Sequence, residues 1–114
     1  MDATQYKYKA RVVKIIDGDT VDFEVDLGFN IKTLIRTRFL GVDTPERGHE
    51  DWTKATNECN RLLRSVAKKT GTFPYDEQLH VIIKTKKTGK YGRWLAEIDG
   101  VTDKLAEIWP LRIK

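Results

Sequence analysis

The 114-residue sequence predicts a small β-barrel of five strands capped by a helix. Three observations carry that reading. Apolar and polar residues alternate with a period of two in the first third of the chain. Apolar spacing switches to three- and four-residue steps between Trp52 and Ala67, and short β-branched runs return after Leu79. The first pattern marks half-buried strands, the second an amphipathic helix.

The elements follow in order. Tyr6 through Ile16 reads as a strand, and Asp17-Gly18 is a hairpin signal joining it to the next. There Val21, Phe23, Val25 and Leu27 alternate with Asp22, Glu24 and Asp26, giving one buried and one wet face. Gly28-Phe29-Asn30 makes the following turn. Ile31 to Val42 is a third strand that stops before Pro45, which completes a three-stranded meander. Trp52, Ala55, Cys59, Leu62, Leu63, Val66 and Ala67 then form a helical apolar stripe. Asp51 suits its N-cap, Lys68 and Lys69 its last turn, and Gly71 its end. Cys59 on the apolar face reads as a small buried hydrophobe. Leu79 to Lys84 and Trp94 to Ile98 predict a second hairpin around the polar loop Thr88-Gly89-Lys90-Tyr91-Gly92, and Val101 to Trp109 a short helix stopped by Pro110. With no repeat, low-complexity tract or linker, residues 1–114 read as a single domain. Five strands with a helix after the third suit a closed or nearly closed barrel.

Composition narrows the chemistry. Lys and Arg number 21 against 17 Asp and Glu, a net charge of +4. No apolar run approaches the roughly 18–20 residues of a membrane span, and Met1-Asp2-Ala3-Thr4 opens no signal peptide. Cytoplasmic residence is therefore the default expectation, with a secreted mature form as the alternative. Cys59 is the sole cysteine, beside only His49 and His80, which excludes an internal disulfide and a Cys/His zinc cage. Any bound metal must be held by oxygen. Asp17, Asp19, Asp22, Glu24 and Asp26 crowd one stretch, while Lys84, Lys86, Lys87, Lys90 and Arg93 crowd another that holds no acid. Charge alone reads as solvated faces; an acidic cluster in a basic protein also suits a cation beside a phosphate-attracting surface.

Three carboxylates fall at strand ends, where they can converge on an ion: Asp19 after the first turn, and Asp43 and Glu46 flanking Thr44-Pro45. Such ligands select hard cations, Ca²⁺, Mg²⁺ or Mn²⁺. An EF-hand is excluded because the twelfth position from Asp17 is Gly28 instead of Glu. Each motif also has a plain structural reading, a turn in one case and the start of a loop in the other. The arginines shift the balance. Arg36 and Arg38 share a strand face by parity, Arg93 ends the Lys-rich loop, and guanidinium donors fit phosphate oxygens bidentately. Carboxylates, a hard cation and arginines together meet the needs of phosphoryl transfer. Arg38 and Asp43 lie five positions apart, on opposite faces of a regular strand, so their convergence needs a bend, for which Gly41 is placed.

These residues resemble the staphylococcal nuclease-like family. Ile16-Asp17-Gly18-Asp19-Thr20-Val21, then Arg38 leading into Val42-Asp43-Thr44-Pro45-Glu46, then Lys90-Tyr91-Gly92-Arg93 occur in the family's order, with a helix between the second and third motifs. The likeness runs from about Lys9 to Asp103. It implies an OB-fold barrel and a Ca²⁺-dependent phosphodiesterase that cuts DNA and RNA to 3′-phosphate ends. It further implies Asp19 and Asp43 as Ca²⁺ ligands, with the Thr44 backbone carbonyl, and Glu46 as general base or orienter of the attacking water. Arg38 and Arg93 would clamp the scissile phosphate, with Lys90 and Tyr91 contacting the nucleotide. Arg36 has no assigned role. The expected partners are single-stranded or frayed DNA and RNA, with no membrane, and the chain is expected to act as a monomer. Two departures stand out. The loop from Glu46 to the helix is short, and after Glu107 the stretch Ile108-Trp109-Pro110-Leu111 leaves the family pattern, including its base-stacking tyrosines. Trp109 reads as core. The alternatives from other classes are a non-catalytic nucleic-acid-binding module on the same barrel and a protein-interaction domain.

Overall fold

The computed structural model describes residues 6–71, 77–87 and 94–110. Its elements are β1 (Tyr6–Asp17), β2 (Thr20–Asp26), β3 (Lys32–Phe39), α1 (Trp52–Val66), β4 (Lys68–Thr70), β5 (Gln78–Lys87), β6 (Trp94–Glu97) and α2 (Thr102–Ile108). Antiparallel β1–β2 and β2–β3 ladders form the meander, and β5–β6 the second hairpin. A parallel β3–β6 pairing and an antiparallel β1–β5 pairing then close five strands into a barrel. This is an OB-like barrel with helices, as the sequence leads one to expect. Among the described residues no helix is long and apolar enough to cross a membrane.

Alternation builds the interior. Val21, Phe23 and Val25 of β2, Phe39 of β3, Val81 and Ile83 of β5 and Ala96 of β6 all point inward and are buried. Helix α1 lays Cys59, Leu62 and Leu63 against them, and Val101 and Leu105 complete the cluster. Each large apolar side chain so buried stabilises by roughly 1.5–3 kcal/mol. Cys59 is fully buried and Trp109 packs partly against the core, as read from the sequence.

Several boundaries differ from the sequence reading, each for a local reason. The two-residue turn between β1 and β2 is Gly18-Asp19, not Asp17-Gly18. Asp17 instead pairs with Thr20, because register shifts after Val12 and Ile15 insert extra residues into β1. Strand β3 ends at Phe39, short of Val42; Gly41 takes a positive φ of 76° and turns the chain. The largest correction concerns Lys68 and Lys69. Helix α1 stops at Val66 with Ala67 extended, and these lysines form β4 alongside β5, a sixth strand in the sheet. Gly71 therefore follows a strand, not the helix. Asp51 precedes α1 and its carbonyl accepts from Ala55 N–H at 3.0 Å, but its side chain makes no cap bond.

Candidate functional site

Asp19, Arg38, Asp43 and Thr44 gather at the end of the barrel where the β1–β2 turn meets the segment leaving β3. Asp19 sits in that turn and is 6% exposed. Its backbone carbonyl accepts from Phe39 N–H at 2.7 Å, fixing the turn to the end of β3. Its carboxylate is held from both sides: Thr20 Oγ1 donates to Oδ1 at 3.1 Å, and Thr44 N–H to Oδ2 at 3.3 Å. Gly18 permits this approach. A Cβ there would lie 2.9 Å from both Ala55 Cβ and Thr44 Cγ2, so only glycine lets the turn seat between α1 and the Thr44 segment.

Arg38 supplies the link. It pairs across the ladder with Thr20, and its Nη2 lies 3.6 Å from Asp19 Oδ2 and 3.3 Å from Asp43 Oδ1. The bend at Gly41 brings Asp43 back to Arg38 despite the five-residue separation, as its placement in the sequence suggests. An Asp43 N–H bond to the Trp109 carbonyl at 3.0 Å and a bridge between Val42 and Pro110 hold the segment down. One guanidinium nitrogen thus stands between two carboxylates. Arg38 Nε and Nη1 make no hydrogen bond or ion pair among the described residues.

The donor set suits a hard cation. Asp19 and Asp43 each bring a carboxylate oxygen within 3.6 Å of Arg38 Nη2, and Thr44 Oγ1 is buried without a hydrogen-bond partner among the described residues. Among the described residues no three His, Cys, Asp or Glu side chains converge, so side-chain carboxylates alone would not complete such a shell.

Glu46 is exposed on the neighbouring loop. It lines a cavity of about 340 Å³ with Lys14, Ile16, Asp17 and Arg47, and its carboxylate makes no hydrogen bond or ion pair among the described residues. Lys90, Tyr91 and Arg93 lie outside the described residues. Arg36 is engaged elsewhere: Nε and Nη2 donate to the two Asp22 oxygens at 2.8 and 3.2 Å. That guanidinium holds the Asp22 carboxyl below its ordinary range.

Sequence reasoning passed over the supports of the site. Trp52 Nε1 donates to Asp17 Oδ1 at 2.7 Å, tying the first turn of α1 to the end of β1, and Arg47 stacks over the Trp52 ring at 5.2 Å. Asp17 is therefore a brace. No short-range pattern marks a pairing 35 positions apart. Behind the turn, burial, with the Asp19 charge adding to it, pushes the Cys59 thiol up to about 12.

No family model matches the sequence. A curated relative, Protein ParB of Escherichia coli, is 31% identical over 90 residues, which cover 79% of this chain and 41% of that protein. The chain accordingly matches less than half the length of that relative.

Proposed function

We propose that this chain is a staphylococcal nuclease-like domain that hydrolyses phosphodiester bonds of single-stranded or frayed DNA and RNA with Ca²⁺ as its metal. The observation that carries the reading is the Arg38 guanidinium, held by one nitrogen between Asp19 and Asp43 while its other donors make no hydrogen bond or ion pair among the described residues. With Nη2 so engaged, Nε–H and Nη1–H can each donate a single charge-assisted hydrogen bond to a phosphate oxygen.

Asp19, Asp43 and the Thr44 carbonyl would hold the cation. Bound there, Ca²⁺ supplies positive charge beside the phosphate and a site for ordered water. Arg38 orients the phosphate and gains strength as negative charge builds on its equatorial oxygens. Glu46, exposed and without a hydrogen bond or ion pair among the described residues, accepts the proton of the attacking water. The water oxygen bonds to phosphorus, the P–O5′ bond breaks, and the leaving oxygen takes up a proton. The products are a 3′-phosphate and a 5′-hydroxyl. Arg93, by the family resemblance, would assist the leaving oxygen, with Lys90 and Tyr91 against the nucleotide.

A second reading, a non-catalytic nucleic-acid-binding module, is favoured by one observation: no bond joins Glu46 to the Arg38 cluster. Digestion of single-stranded DNA and RNA in Ca²⁺ or in EGTA separates the two. The nuclease reading expects both polymers to shorten in Ca²⁺ alone, with fragments that accept a 3′ label only after phosphatase treatment. Intact polymer that is nonetheless bound would establish the module.

A further inference from the structure

A second feature lies on the outer wall of the barrel, away from Arg38. The register lays cross-strand rows there. His80 stands between Lys68 and Arg11, and Arg11 faces Glu24; Lys9 stands between Ile82 and Asp26, and Asp26 faces Lys32. These rows line a groove of about 760 Å³. Its cations are Lys9, Arg11, Lys32 and Lys68, against the two carboxylates Glu24 and Asp26. Arg11 is paired with Glu24 at 3.4 Å, while Lys9, Lys32 and Lys68 make no ion pair among the described residues. Three uncommitted ammonium groups along one groove suit a chain of regularly spaced negative charges.

The β2–β3 turn stands at the end of this groove, since Asp26 and Lys32, which line it, also flank that turn. Bonds Leu27 N–H to Ile31 O and Ile31 N–H to Gly28 O, both 2.9 Å, close the turn. Phe29 at its tip is 95% exposed and takes a φ of 56°, a conformation costly for a residue with a Cβ. The fold gains no burial from this ring. Thr20, Asp22, Glu24 and Asp26 face Arg38, Arg36, Leu34 and Lys32 in turn, so one outward face of the ladder joins the Arg38 cluster to the groove. Six residue steps separate its ends, about 20 Å.

We infer that the groove and the Phe29 tip form a second contact surface for the same nucleic-acid strand, the groove holding its phosphates and Phe29 stacking on a base. This rests on the nucleic-acid part of the function proposed above. A single strand is the occupant because stacking on a lone ring needs an unstacked base, and OB-type folds engage about 4–16 nucleotides. A trinucleotide at Arg38 would not reach the groove.

Fluorescence anisotropy in EGTA, with labelled oligo(dT) of about 30 nucleotides and with the trinucleotide, tests the inference. The variant Lys9→Ala with Lys68→Ala should weaken the long oligomer about ten-fold at low salt and flatten its log–log salt slope by roughly 1.4, about 0.7 for each phosphate left without its lysine. Phe29→Ala should weaken it about ten-fold with the salt slope unchanged. Trinucleotide affinity should stay constant in both variants, whereas Arg38→Ala should weaken both ligands by a common factor. Wild-type affinity and salt slope in the groove variants overturn the inference while leaving the Arg38 site standing. Failure of the wild type to bind either oligomer overturns both. Groove variants that lose binding to phosphatidylserine vesicles yet hold the long oligomer normally would give the surface to lipid, and that also refutes it.

Discussion

At the residue scale, the arrangement around Arg38 balances charge in a place where Asp19 has little access to water. Arg38 Nη2 neutralises Asp19 and Asp43 together, and Thr20 and Thr44 satisfy the remaining Asp19 acceptors. Removing the guanidinium leaves a buried carboxylate short of one partner. Because Arg38 is itself partly exposed, Arg38→Ala should cost about 1–2 kcal/mol in urea unfolding without metal, below the range for fully buried pairs. Ca²⁺ should restore more stability to this variant than it adds to wild type, since a ligand of the folded state stabilises more the tighter it binds, and loss of the guanidinium leaves Asp19 and Asp43 unneutralised for a cation. A midpoint insensitive to Ca²⁺ in both proteins would refute the cation site. For catalysis, Glu46→Gln should slow cleavage by roughly 10²–10⁴ with nucleic-acid affinity retained. The Cys59 thiol adds a pH limit. Its folded value, raised by burial to about 12, leaves stability intact below the unfolded thiol's range and lowers it as pH climbs from there toward 12. Reaction of Cys59 with a thiol reagent at pH 8 should therefore track unfolding. Asp22, depressed by Arg36, acts in the opposite direction: its contribution is present above the ordinary carboxylate range and fades as pH falls below it. Asp22→Asn should accordingly flatten the acid limb of the stability profile.

At the element scale, the β1–β2 turn is positioned by packing as much as by its own sequence. Gly18→Ala would press a methyl group against Ala55 and Thr44, and overpacking of this kind costs about 1–3 kcal/mol. Because the same turn carries Asp19, cleavage should fall along with the melting temperature; an active, fully stable Gly18→Ala protein would show that the turn is not seated as described. Asp17-Gly18-Asp19-Thr20 was legible as a turn with a carboxylate, yet its register was not. The extra residues in β1 lie in a run of Val, Lys and Ile that looks continuous, and only the pairing with β2 exposes them. Strand β4 was hidden for a related reason. Lys68-Lys69-Thr70 is exposed throughout and has no alternation, so local pattern favours two lysines completing a helix; the open edge of β5 decides otherwise. By contrast, Val21, Phe23 and Val25, and Ala55, Cys59, Leu62 and Leu63, carry their burial in their spacing, although Leu27 and Val66, read on the same apolar faces, are exposed where strand and helix end.

At the scale of the whole molecule, barrel closure makes a site from remote segments. The parallel contact of β3 with β6 and the antiparallel contact of β1 with β5 complete the ring. The Asp19 turn then sits against the start of α1 and the Asp43–Thr44 segment. A closed or nearly closed barrel was foreseeable from five strands and a helix, but which of the two, and the strand order, were not, since pairings between distant segments leave no local trace. The geometry around Asp19, Arg38 and Asp43 was legible through motif spacing together with the bend that Gly41 allows. The braces from Trp52 and Trp109 depend on tertiary contact and were invisible. Hydrolysis is proposed for the cluster of Asp19, Arg38 and Asp43. Its most direct test is the single-turnover cleavage rate of single-stranded DNA in saturating Ca²⁺, wild type beside Asp43→Asn, with binding of the same strand measured in EGTA. A rate loss of at least about 10² in the variant, with the strand still bound, is the expected result. Equal rates in the two proteins, or no cleavage by wild type, would contradict it.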